Sequence, residues 1–127
     1  MTTIGIIGGT GVEDTSLFGS LTPLETATPF GTVHCFKGTV GQNTVYFMAR
    51  HGTHHSVPPH RIPYKANIFA LKKLGVTEIL SFTAVGSLNP GLTPGTFVVT
   101  NQILDFTKNR DHTFFDGQGH PVCHVDF

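Results

Sequence analysis

At 127 residues, with 39% hydrophobic side chains and a mean hydropathy of +0.06, the chain is long enough for one folded, soluble domain with a real core. Only 13% of residues are charged, against about 25% in an average globular protein, so part of the surface is expected to be covered. Eight Lys and Arg balance eight Asp and Glu, which removes the basic excess of a nucleic-acid binder, and no apolar run is long enough to span a membrane.

Met1-Thr2-Thr3 leads directly into Ile4–Gly8, a short β-branched run that reads as a buried strand closed by a glycine turn. With no basic or long apolar leader, a cytoplasmic protein is expected. Cys35 and Cys123, without CxxC spacing, suit a reducing compartment and are simplest as small buried hydrophobes. Thr32–Lys37 and Thr44–Ala49 are two further strands, and the glycine-rich segment 38–43 between them has hairpin chemistry. Arg50 to Pro63 holds four His and three Pro and reads as loop. A helix follows from Tyr64 to Leu74, with Pro63 at its start, an apolar stripe of Ala66, Phe69, Ala70 and Leu74, and Gly75 as its stop. Glu78–Thr83 is a fourth strand, Thr93-Pro94-Gly95 a turn and Thr96–Thr100 a fifth strand. From Lys108 the chain is rich in Gly, His and Asp without periodicity. The order of elements is mixed α/β, with few partners for both faces of a sheet.

Three polar turns follow predicted strands. Gly8-Gly9-Thr10-Gly11 can turn tightly and bring backbone N–H groups and the Thr10 hydroxyl against an anion. A dinucleotide fingerprint is excluded because Asp14 stands where GxGxxG needs glycine, and no Gly-Lys-Ser/Thr of a Walker loop occurs. Arg50-His51-Gly52 offers a guanidinium fork at a strand end, suited to phosphate or to a plain ion pair. Thr83-Ala84-Val85-Gly86-Ser87 supplies a hydroxyl and a flexible backbone after the fourth strand. In α/β sheets, ligands collect at the carboxyl ends of the strands. His51, His54, His55 and His60 invite a metal reading, but the prolines favour a loop, no carboxylate or Cys lies nearby, and HExxH is absent. His112, Asp116, His120 and His124 fit a solvated tail as readily as a site.

Taken together, Ile4–Gly11, Thr28-Pro29-Phe30-Gly31, Ala49–Gly52, Ala66-Asn67-Ile68, Thr83–Leu88, Pro94-Gly95, Asp105, Phe115-Asp116-Gly117 and Val122-Cys123-His124 resemble methylthioadenosine phosphorylases and related purine nucleoside phosphorylases, in family order. The resemblance implies one α/β domain, of which residues 1–127 form the N-terminal portion. Its mixed sheet is of the nucleoside phosphorylase type, partly barrel-like and here incomplete. It also implies a homotrimer without metal or organic cofactor. The implied reaction is phosphorolysis of a purine nucleoside, such as 5′-methylthioadenosine or a 6-oxopurine nucleoside, to free purine and a ribose 1-phosphate. Carried over by position, Thr10, Arg50, His51, Thr83 and Ala84 are phosphate contacts. His55 lies near phosphate and sugar, and His124 reaches a neighbouring subunit's site beside the ribose 5′ group. The purine-contacting residue of the family has no counterpart in this chain, so purine preference is not legible. A non-catalytic phosphate- or nucleoside-binding fragment and a His-cluster metal hydrolase are the alternatives.

Overall fold

A computed structural model describes residues 1–9, 20–52, 55–111, 113–117, 119 and 121–124. The chain divides into two units, Met1–Ala84 and Val85–Phe127. The first unit holds strands β1 (Thr3–Gly8), β2 (Thr22–Thr28), β3 (Gly31–Val40), β4 (Asn43–Ala49) and β5 (Glu78–Ser81), with helix α1 (Tyr64–Lys73) between β4 and β5. They form one open mixed sheet in the order β2-β3-β4-β1-β5. β2, β3 and β4 are an antiparallel meander, whereas β1 pairs in parallel with both β4 and β5.

The composition of each strand follows its place. β4 is central and covered on both faces, so Val45, Tyr46, Phe47 and Met48 are all buried, as a continuous apolar run requires. Because side chains alternate, Tyr46 and Met48 join Val33 and Cys35 under α1, where Ala66, Ala70 and Leu71 pack. Val45 and Phe47 face the other way, with Ile6, and partly buried Ile4, Phe36, Ala49 and Phe82 surround them.

The mixed α/β expectation holds, with differences in detail. β2 was not expected: Pro23 and the polar Thr and Glu residues mask its pattern, yet an edge strand tolerates Pro, and only Leu24, Thr26 and Thr28 turn inward. Thr96–Thr100 is not a strand. Phe97 and Val99 are 88% and 97% exposed, and without a neighbouring ladder β-propensity alone does not make a strand. The helix buries Ala66, Asn67, Ala70 and Leu71, while Phe69 turns outward against the edge of Phe30. Gly75, at φ +76°, ends it as expected.

In the second unit the described residues form no helix or strand. Pro94-Gly95 makes a turn closed by Thr96 N–H to the Thr93 carbonyl at 3.1 Å, with Gly95 at φ +88°. The Ser87 hydroxyl and the Asn89 side chain cap their own backbone two residues on.

Cys35 is buried as expected, and burial pushes its thiol up. Cys123 is instead exposed, because no core forms around it in its own unit. Maleimide labelling of the folded chain near pH 8 is therefore expected to modify Cys123 and spare Cys35, read by peptide mass. Equal rates at both thiols would mean that β3 opens readily.

Candidate phosphate site at the strand ends

The parallel half of the sheet brings three strand ends to one edge. Gly8 stands opposite Ala49, and Ile7 opposite Ser81. The ladder continues one step further: Arg50 N–H donates to the Gly8 carbonyl at 3.0 Å, and Phe82 N–H to the Ile7 carbonyl at 2.9 Å. Gly9, Arg50 and Thr83 thus leave the sheet side by side.

Arg50 ties these ends together. Its strand, β4, is separated from β5 by β1, so its side chain must cross the end of β1 to reach beyond it. It does so, and Nη2 donates to Thr83 Oγ1 at 2.9 Å. The crossing runs over Gly9, where a Cβ would lie 2.7 Å from Nη2 and 3.1 Å from Cζ. Only glycine lets the guanidinium lie this close to the backbone.

Next to it, His51 sits between two fixed partners. Arg50 Nε–H donates to His51 Nε2 at 3.2 Å, and His51 Nδ1 lies 3.0 Å from the Val57 carbonyl. Val57 N–H returns a bond of 2.8 Å to the His51 carbonyl, so residues 51 and 57 are tied to each other. Gly52, next to His51, stands at φ +72°. His55, itself at φ +52°, stacks on the His51 ring with centroids 5.9 Å apart.

A guanidinium has five N–H donors. Two are engaged with His51 and Thr83, which leaves three uncommitted to any described residue. Thr83 accepts from Arg50, so its own hydroxyl proton is available to a ligand. Arg50 and His51 are half-buried, and Thr83 and Ala84 are exposed. Among the described residues no carboxylate pairs with Arg50. A half-buried fixed cation with convergent free donors is suited to an oxyanion.

Of the expected phosphate contacts, the structure gathers Arg50, His51 and Thr83, with Ala84 next in chain. His55 adjoins through His51. Thr10 lies outside the described residues. His124 is exposed in the second unit. Among the described residues no three His, Cys, Asp or Glu side chains come together as a metal would need, and no helix is long and apolar enough to cross a membrane. Sequence reasoning missed Gly9 as the bed of the guanidinium and the Val57 carbonyl as partner of His51. The doubled glycine after β1 was the available signal for the first. An open groove of about 540 Å³ lies between the end of β2 and α1, lined by Ala27, Thr28, Pro29, Phe69, Lys72 and Lys73, apart from these strand ends.

Comparison with known proteins gives the family. Residues 3–126 match the model of the phosphorylase superfamily. A probable 6-oxopurine nucleoside phosphorylase of Dictyoglomus turgidum is 54% identical over 98% of this chain and 47% of its own length. An S-methyl-5′-thioadenosine phosphorylase of Pyrobaculum aerophilum is 45% identical over 96% of this chain and 44% of its own. The solved methylthioadenosine phosphorylase of Schistosoma mansoni, in complex with adenine, superposes with a TM-score of 0.87 at 40% identity, over 98% of this chain and 46% of that one. The chain spans about half the length of these relatives.

Proposed function

Since the chain belongs to the phosphorylase superfamily, we propose that it is the N-terminal, phosphate-holding portion of a purine nucleoside phosphorylase. The reaction is phosphorolysis of the N-glycosidic bond of a purine nucleoside. A 6-oxopurine nucleoside or 5′-methylthioadenosine is the substrate class, since relatives named for both share 45% to 54% of the matched residues. The observation that carries the reading is the Arg50 guanidinium, laid over Gly9 and tied to Thr83 with donors to spare.

The chemistry suits such a site. Phosphate must be held beneath C1′ while the glycosidic bond lengthens and positive charge grows on the sugar. Fixed donors orient the nucleophile, and its negative charge stabilises the oxocarbenium-like state. Arg50 and Thr83 supply donors, Ala84 a backbone N–H in the adjoining turn, and His51 belongs to the same site. No activated side-chain nucleophile is required, and the purine leaves with a proton or hydrogen bond at N7. A role for His55 beside the sugar, a trimer in which His124 reaches a neighbour's ribose, a cytoplasmic location and a place in purine salvage rest on family resemblance and complete the proposal.

The test is thermal stability of the 127-residue chain with and without phosphate plus inosine or methylthioadenosine, with an assay for released purine. Stabilisation by phosphate with little turnover is expected, because the chain spans about half the length of its relatives. No response to phosphate would refute the site. Stabilisation that is independent of phosphate but lost to chelators would favour a metal hydrolase.

Gly9→Ala gives a narrower check. Gly9 does not occupy the left-handed φ region, so alanine strains no backbone there. Its Cβ must push the guanidinium away instead. Phosphate affinity is expected to fall about tenfold, the worth of one charge-assisted hydrogen bond, with little change in melting temperature. Unchanged affinity would remove Arg50 from the site.

A further inference from the structure

We propose that Asp116 and Gly117 form a site of spontaneous backbone modification, at which the Asp116 carboxyl closes onto the Gly117 nitrogen and reopens as an isoaspartyl linkage. The reaction needs neither phosphate nor nucleoside, so it stands apart from the phosphate-site reading.

An Asp side chain has the right length to close a small, unstrained ring with the nitrogen of the residue that follows it. The usual obstacle is the next side chain, which crowds that nitrogen, and glycine removes it. Of five Asp and five Asn in the chain, only Asp116 precedes a glycine. Asp105 and Asp111 are followed by Phe106 and His112, and Asp105 Oδ1 accepts from Thr107 N–H at 2.8 Å.

The fold leaves this pair open. Both residues are exposed, and neither lies in a helix or strand. Among the described residues no backbone carbonyl accepts from the Gly117 N–H, whereas the Gly117 carbonyl accepts from Gly119 N–H at 3.1 Å. A ladder or helix would hold that nitrogen in a hydrogen bond and fix the backbone around it, and here neither does. Gly117 stands at φ +80°, in the left-handed region that a Cβ disfavours. The local backbone thus favours the one residue that leaves its nitrogen uncrowded.

In the closing step the bond between the Gly117 nitrogen and Asp116 Cγ forms, and the Cγ–OH bond breaks. The amide proton and the hydroxyl leave together as water. Water then opens the ring at one of its two carbonyls. Attack at Cγ restores Asp116. Attack at the main-chain carbonyl carbon breaks its bond to nitrogen, and the chain then runs through Cγ, with the new carboxylate on Cα. The product keeps the original mass but carries one more backbone carbon.

Warm, mildly acidic incubation of the 127-residue chain in water enriched in ¹⁸O tests this, read by peptide mapping with electron-transfer fragmentation. Asp116 is expected to take up heavy oxygen and fragment as isoaspartate, while Asp105 and Asp111 do not. Asp116→Glu, whose longer side chain closes the ring poorly, should abolish both signals. The rate in the folded chain should lie within about twofold of that in a synthetic peptide of residues 113–121, because an open segment gains no protection from folding. Protection of about tenfold or more in the folded chain would overturn the proposal. So would isoaspartate that appears at Asp105 or Asp111 as fast as at Asp116.

Discussion

Arg50→Ala is expected to weaken phosphate binding by roughly 30- to 150-fold, the equivalent of about 2–3 kcal/mol for charge-assisted contacts from one planar fork. Stability should change little. Arg50 is half-buried, contributes nothing to either hydrophobic cluster, and its loss leaves Thr83 exposed to water rather than stranded in a core. Arg50→Lys keeps the charge but not the geometry. An ammonium cannot accept two fixed mounts and still present a forked edge, so a loss of about tenfold is expected even with the charge retained. Calorimetric titration with inorganic phosphate measures both variants. Binding within twofold of the unmodified chain for Arg50→Ala would place the anion elsewhere.

The largest loss of stability is expected from Phe47→Ala. Phe47 is 2% exposed at the middle of β4, with Ile6, Val45 and the partly buried ring of Phe36 around it. Its truncation removes the transfer free energy of a ring and leaves a cavity that a central strand cannot close, at a cost of about 3–5 kcal/mol. That is a large share of the roughly 5–15 kcal/mol that holds a domain together. Leu71→Ala probes the opposite face, where Leu71 is fully buried under the sheet, and should cost about 2–5 kcal/mol. Urea unfolding gives both values from the shift in midpoint at constant slope. A change below about 1 kcal/mol for Phe47→Ala would mean that its face is loosely packed.

Much of this was legible in residue order alone. β1 and β4 were plain because buried parallel strands read as unbroken apolar runs, and the helix was bounded by Pro63 and Gly75. β2 was hidden because an edge strand needs only one inward face and tolerates Pro23. Thr96–Thr100 misled for the reverse reason: its composition suits a sheet, but pairing is a property of two strands and composition belongs to one. At the site, Arg50, His51 and Thr83 were each visible as polar residues after strands. That Arg50 spans β1 to meet Thr83 depends on strand order, which residue types do not carry. The partner of His51 is a backbone carbonyl, and carbonyls are identical at every position.

The place of β1 has a consequence for how the chain acquires its shape. β2, β3 and β4 follow one another through tight turns and can zip together early from local contacts. β1, earliest of the five strands in chain order, must wait for partners far along the chain: Ile4 pairs with Val45 and then with Glu78. Closing such long loops precedes any reward from parallel pairing, so β1 should dock late, after the meander exists. Gly9, Arg50 and Thr83 meet only at that moment. The proposed anion site is thus among the last features to form, and until then the apolar Ile4-Gly5-Ile6-Ile7 segment stays available to wrong partners, which makes dilute, cool refolding the gentler route to the native chain.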